Sequence, residues 1–254
     1  MIKANTCYLK IKPVDILAIG VHPDDVELSC SGTLLKHMDL GYSVGVLDLT
    51  LGELGTRGDA TRRTMEAIEA SQKMNISFRT QLNLRDGFFK DTEDEILAII
   101  QIIRASMPKL ILANALTDRH PDHGRAAKLT SDAVFYAGLA KIITLDENEN
   151  SQQRWRPKML AHYVQDFQLE PDFVVDISQY MNAKIELIKC FDSQFFKENT
   201  PEPDTPISGH DFFEFIKSKA KVYGRPCNFE YAEAFQLQHY PGVKDIFLGF
   251  DLNS

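Results

Sequence analysis

Two short stretches concentrate the side chains able to do chemistry. His22-Pro23-Asp24-Asp25 supplies an imidazole and two adjacent carboxylates, and His120-Pro121-Asp122-His123, 98 positions further on, supplies two imidazoles and a carboxylate. Catalytic zinc commonly takes three His or carboxylate ligands, two near in sequence and one distant, and keeps a fourth position open. Proline fixes φ just after each leading histidine, so side chains at i and i+3 converge while the one between them points elsewhere. On that geometry His22 and Asp25 grip one ion together, and Asp24 faces the water. Zinc lowers the pKa of bound water to about 7, and a neighbouring carboxylate can take the proton as the water attacks a polarised carbonyl. One histidine of the second cluster completes the metal site and the other donates to the oxyanion; the residue types leave open which does what. Either His-Pro turn alone reads as a solvated loop or a helix cap. Two of them, each after a strand of one sheet, argue for a shared metal site.

The elements that must position these clusters are legible from periodicity. "VDILAIGV" (14–21) precedes the first and "KLILAN" (109–114) the second; "YSVGVLDLT" (42–50) and "FRTQLNL" (78–84) are further strands. A helix is expected soon after the first cluster, carrying Leu28, Leu34, Leu35 and Met38, and others over 61–74, 93–106 and 123–139. Ile96, Ile99, Ile100 and Ile103 mark the clearest amphipathic face. Strands alternating with helices of this length imply parallel pairing and a layered α/β sheet, whose ligands gather at the carboxyl ends of the strands. "MLAHYVQDF" and "DFVVDIS" add two strands, and a helix is expected over 178–195 with Ile185, Ile188 and Phe195 inward. The proline-rich stretch 197–209 is a loop, expected to lie near the pocket and to order on substrate binding.

The chain has 254 residues, 44% of them apolar and 25% charged, with no apolar run near the roughly 20 residues of a membrane span. Its start lacks the apolar stretch of a secretory signal. No membrane anchor and a cytoplasmic location are expected. Cys7, Cys30, Cys190 and Cys227 form no C-x-x-C pair, so neither a zinc ribbon nor a thioredoxin-like motif is present. A net charge of −8 argues against a nucleic-acid partner. The basic residues of "RTQLNLR" read as a solvated strand face, and Trp155 and "FFEF" as core or loop anchors.

"HPDDVEL" with Gly32-Thr33, then "GELGTRG", "RRTMEA" and "RHPDHGRAA", resembles the LmbE-like, or PIG-L, zinc-dependent N-deacetylases. The later "PDFVVDIS", "DSQF" and "YAEAF" look like the subgroup that deacetylates N-acetylglucosaminyl-malate on the way to bacillithiol. The resemblance implies one Rossmann-like three-layer α/β/α domain with a mostly parallel sheet over 1–254, its C-terminal extension beginning at about 158. It implies a Zn2+ site, with Fe2+ as the alternative ion, formed by His22, Asp25 and His123. Asp24 is then general base and later acid, and His120 the imidazolium on the oxyanion, oriented by Asp122 and raised in pKa by that carboxylate. Arg63 falls where the family places a substrate-contacting arginine, with Arg57 as its rival. The substrate is an acetylated amino sugar, and a homo-oligomer is expected. Ser31 departs from the two glycines of many members. The rival readings are a metal-dependent phosphoesterase, a noncatalytic metal-binding protein and a dinucleotide-binding module, the last lacking G-x-G-x-x-G after strand one.

Overall fold

The first buried strand shows how the sheet is sandwiched. All of Ile16–Gly20 is buried, and its side chains alternate. Leu17 and Ile19 pack with Ile99, Ile103, Leu129 and Ala133, whereas Ile16 and Ala18 pack with Val26, Leu34 and Leu187 on the opposite face. A strand covered on both faces reads as a continuous apolar run, as "ILAIG" does.

The computed structural model describes residues 2, 4–195, 203–209 and 211–246. In chain order the elements are β1 (Asn5–Tyr8), β2 (Ile16–Gly20), α1 (Asp25–Ser29), α2 (Ser31–Asp39), β3 (Val44–Asp48), α3 (Ala60–Met74), β4 (Phe78–Gln81), α4 (Glu93–Ser106), β5 (Leu110–Ala113), α5 (Pro121–Ala137), β6 (Met159–Tyr163), β7 (Phe173–Asp176), α6 (Met181–Ile188), α7 (Phe212–Gly224) and β8 (Ala232–Gln236). They form one α/β sheet ordered β1-β4-β3-β2-β5-β6-β8-β7. The strands from β4 through β6 are parallel; β1, β8 and β7 pair antiparallel. The chain builds outward from β2 to β4, then returns to lay β5 on the other side of β2. The switch point of the sheet therefore falls between β2 and β5, the two strands that lead into the His-Pro turns.

Helix α4 occupies the expected 93–106, closed at its start by a capping box between Thr92 and Glu95. Helix α5 starts two residues before the expected 123, because Pro121 is well suited to the first helical position and His120 caps it. The helix expected after the first cluster is two, α1 and α2, which meet at Cys30; Ser31 is accommodated by a hydroxyl bond to Glu27 O at 2.7 Å.

Helix α6 stops at Ile188 rather than 195. The carboxylate of Glu66 takes the Ser193 N–H at 2.8 Å and its hydroxyl at 2.7 Å, holding that turn outside the helix, while Phe191 and Phe195 stay buried. The "FFEF" residues lie in α7, which sequence reading did not find: Phe212 is buried and stacks on Phe195 at 5.4 Å, while Phe215 is exposed.

The reading of "RTQLNLR" as a solvated face is corrected by Arg79, which is 0% exposed. Its Nε and Nη2 donate to Asp48 at 2.7 and 2.8 Å, and its Nη1 to Glu27 at 2.6 Å. Among the described residues no helix is long and apolar enough to cross a membrane.

Candidate active site

Beyond β2 the chain turns through Pro23 and Asp24 and enters α1 at Asp25. The Asp25 carboxylate is pinned over the strand end: Oδ2 accepts from the Val21 and His22 N–H groups at 2.9 Å each and from Asn114 Nδ2 at 3.0 Å, and Oδ1 accepts from Gln165 Nε2 at 3.0 Å. Asp24 holds a φ of 141°, a strained conformation for a residue with a side chain. Arg63 secures it, donating from Nη2 to Asp24 Oδ2 at 2.9 Å and Pro23 O at 3.0 Å, and from Nη1 to Gly52 O at 3.1 Å. A Cβ on Gly52 would lie 2.1 Å from Arg63 Nη1, so only glycine admits this clamp.

The second turn faces the first. His120 is the N-cap of α5, and the Asp122 N–H donates to its Nδ1 at 3.3 Å, which leaves Nε2 as the protonated nitrogen of the neutral ring. His123 sets Nδ1 against Asp118 Oδ2 at 2.5 Å and Nε2 at 3.2 Å from Asp25 Oδ1. His22 Nδ1 lies 3.7 Å from Asp25 Oδ2, and its Nε2 lies 3.0 Å from Asp86 Oδ1 and 3.8 Å from Asp122 Oδ2. The sequence-expected trio of His22, Asp25 and His123 thus meets around Asp25. Among the described residues the groups whose donor atoms all lie within 4.8 Å of one another are different ones, His22 with His120 and His123, and His22 with Asp86 and Asp122; the expected trio is not so tightly drawn together. Two imidazoles and a carboxylate fit a zinc site in donor chemistry, and the carboxylate behind His123 Nδ1 is the support that such ligands ordinarily have, turning Nε2 inward.

The charges are unbalanced. Five aspartates (24, 25, 86, 118 and 122) crowd three imidazoles; Arg63 pairs with Asp24 and Arg125 with Asp122, and the carboxylates draw protons onto two of the rings. Burial opposes the charge on His22, yet Asp122, Asp86 and Asp25 outweigh it and lift the ring to about 10. Burial likewise opposes His123, which Asp25 and Asp118 lift to about 9. Asp25 is driven below the carboxylate range against its burial by His123 and His22, and Asp86 is lowered to about 2 by His22. Asp24 goes the other way: burial and the neighbouring Asp25 charge push it up, against Arg63. A divalent cation answers the same excess of negative charge that the two ring protons answer, and binding it would release them.

Two expectations change. The Asp122 carboxylate accepts from Gly87 N at 2.7 Å and Arg125 Nη1 at 2.6 Å, so it contacts His120 through its backbone N–H instead. The expected rise in the His120 pKa is reversed: burial and the charges of His22 and His123 push it down, outweighing Asp122. Such a ring donates as a neutral imidazole. Arg63 does reach the cavity, but its guanidinium is committed to the Asp24 turn.

Sequence reading missed Asp86, Asn114, Asp118 and Gln165. Asp118 lies just ahead of the second cluster, five residues before His123, and the rest share one signal, a polar residue soon after β4, β5 or β6. A cavity of about 530 Å³ opens over the cluster. Val164, Ile207, Phe212, Ile216 and Tyr223 form its apolar wall, and Arg57, Arg119, Lys184 and Lys219 also line it. In the loop expected near the pocket, Thr205, Pro206 and Ile207 border this cavity, whereas 197–202 lie outside the described residues.

Comparison with known proteins matches residues 17–134, which carry both His-Pro turns, to the family model described as "PIG-L: GlcNAc-PI de-N-acetylase". The diacetylchitobiose deacetylase of Thermococcus kodakarensis is 27% identical over 252 residues, 95% of this chain and 88% of that one. A probable N-acetyl-alpha-D-glucosaminyl L-malate deacetylase 2 of Bacillus anthracis is 26% identical over 71% of this chain and 81% of its own length. The crystal structure of the conserved protein TT1542 from Thermus thermophilus superposes with a TM-score of 0.80 at 31% identity, covering 92% of this chain and 98% of that one. Residues 17–134, which carry both turns, are therefore a PIG-L family domain.

Proposed function

We propose that the protein is a metal-dependent hydrolase that removes acetate from an N-acetylated amino sugar, with N-acetylglucosaminyl-malate as its substrate. The observation that carries this reading is the meeting of His22, Asp25 and His123 around one carboxylate at the mouth of a cavity, with Asp24 and His120 beside them. The relatives named as deacetylases of diacetylchitobiose and of a glucosaminyl malate support the substrate class.

Zinc held by His22, Asp25 and His123 would supply a Lewis acid for the acetyl carbonyl and would acidify water at neutral pH. The protein's own groups do the rest. Asp24, raised by burial and by Asp25, accepts the proton of the attacking water as the C–O bond forms. It returns that proton to the amine nitrogen as the C–N bond breaks, and acetate leaves. His120 directs its Nε2–H at the oxygen that gains charge, a donor already oriented by the first turn of α5. Arg63 keeps Asp24 in its strained conformation.

The deciding experiment measures acetate released by the zinc-loaded protein from N-acetylglucosaminyl-malate, N,N'-diacetylchitobiose and N-acetylglucosamine. The expected result is stoichiometric acetate with a large preference for the malate conjugate. Acetate from none of the three overturns the reading; equal rates overturn the malate assignment alone.

A further inference from the structure

Five cationic side chains line the cavity, and their partners differ. Arg63 is paired with Asp24, Arg119 with Asp166, and Lys184 with Glu233, while Lys219 donates to Phe167 O at 3.3 Å. Arg57 is the exception. It is 2% exposed, its Nε is buried with no acceptor, and among the described residues its guanidinium makes no hydrogen bond or ion pair. Only its backbone is tied down: Gln194 Nε2 donates to Arg57 O at 2.7 Å, and Gly58 follows at a φ of 68°.

A guanidinium removed from water without an acceptor is costly, and folded proteins rarely retain one without a compensating partner. Its five N–H groups form a planar fork that matches the two oxygens of a carboxylate or phosphate. No carboxylate among the described residues takes that fork, which leaves it open to the oxygens of a ligand.

We propose that Arg57 is the anchor for an anionic substituent of the substrate, a carboxylate or phosphate attached to the amino sugar, and so determines specificity. The inference rests on the amino-sugar reading above and assigns its anion recognition to Arg57 rather than Arg63. Arg63 spends both of its terminal nitrogens on the Asp24 turn and has only its buried Nε without an acceptor, whereas no nitrogen of the Arg57 guanidinium is engaged among the described residues.

The test reads affinity without turnover. Glucosaminyl-malate, glucosamine 1-phosphate and methyl glucosaminide are already deacetylated; each is titrated calorimetrically into the zinc-loaded protein and its Arg57→Gln and Arg57→Lys variants. A charge-assisted fork predicts that the parent binds at least one of the two anionic sugars about ten- to hundredfold more tightly than the neutral glycoside. The tighter of the two identifies the anionic group. In Arg57→Gln that preference collapses to about parity, and Arg57→Lys, a point charge without the fork, keeps part of it. The melting temperature of Arg57→Gln equals or exceeds the parent's, since an unpartnered buried cation is removed.

A parent with no preference for either anionic sugar overturns the proposal. So does Arg57→Gln with the preference intact, or with a melting temperature several degrees lower, which would make Arg57 a structural residue. If the acetylated forms release no acetate while the Arg57-dependent preference stands, the deacetylase reading fails and the anion site survives.

Discussion

Arg79 with Glu27 and Asp48, and Arg63 with the aspartates around His22, are two buried charged clusters built on neighbouring stretches of the same chain. In the first, three guanidinium nitrogens meet two carboxylates, all three residues are fully buried and none lines the cavity; of its carboxylate oxygens only Glu27 Oε2 is unmatched. In the second, five aspartates share Arg63, Arg125 and three imidazoles whose charge depends on a proton, Asp24 is strained, and His22, Asp24, Asp25 and Asp86 all border the cavity. A nearly closed count of hydrogen bonds, sealed from solvent, ties β3 and β4 to α1. Strained and strongly shifted groups facing a cavity call for a ligand. Arg57 belongs with the second kind although it carries the opposite charge.

The contrast breaks most visibly at Asp24. Asp24→Asn keeps the shape and an oxygen for Arg63 but removes the proton acceptor. Turnover is expected to fall by about 10²- to 10⁴-fold, the usual contribution of a general base, with zinc content unchanged. Steady-state acetate release and metal analysis of the same preparation check both halves. Parental turnover in the variant would remove Asp24 from the mechanism.

Next in size is Arg79→Met, which leaves Asp48 and Glu27 as buried carboxylates without their cation. The expected loss is about 3–5 kcal/mol of folding stability, measured by urea unfolding. Adding Asp48→Asn and Glu27→Gln should recover much of it, because the penalty lies in the uncompensated charges. A near-neutral Arg79→Met would make the two clusters alike and remove the distinction between architecture and site.

How much of this could be read in advance depends on where the partners lie in the chain. His22, Asp24, Asp25, His120 and His123 were legible because each sits within four residues of others of its kind, beside a proline and after an apolar run. Helix α4 was legible because its isoleucines recur with the helical period and its cap is local. Asp86, Asn114 and Gln165 were not, since each is a single polar residue after its own strand and only the sheet order brings them to Asp25 or His22. The burial of Arg79 was hidden for the same reason: Asp48 and Glu27 are 31 and 52 residues away. Alternation along a strand marks an arginine as polar without showing whether carboxylates cover it. Helix α7 was obscured by the proline-rich stretch before it, and its burial of Phe212 against Phe195 is a tertiary contact.

The smallest expected effect sharpens the comparison on the site's own side. Asp118 does not reach the cavity; it accepts from His123 Nδ1 at 2.5 Å and from Phe167 N at 2.8 Å, so it acts through His123 by fixing which nitrogen turns toward Asp25. His123 lowers the Asp118 pKa against its burial, which keeps the carboxylate charged when the ring is pressed against it. In Asp118→Asn the amide can still accept from Nδ1 but no longer adds basicity to the ring. Zinc affinity, read by competition with a chromophoric chelator, is expected to fall about 10- to 100-fold. With zinc in excess, turnover should recover further than it does in Asp24→Asn. Unchanged zinc affinity would make Asp118 a loop clamp for Phe167, and the orientation of His123 would then have to come from Gln165, whose Nε2 lies 3.3 Å from His123 Nε2.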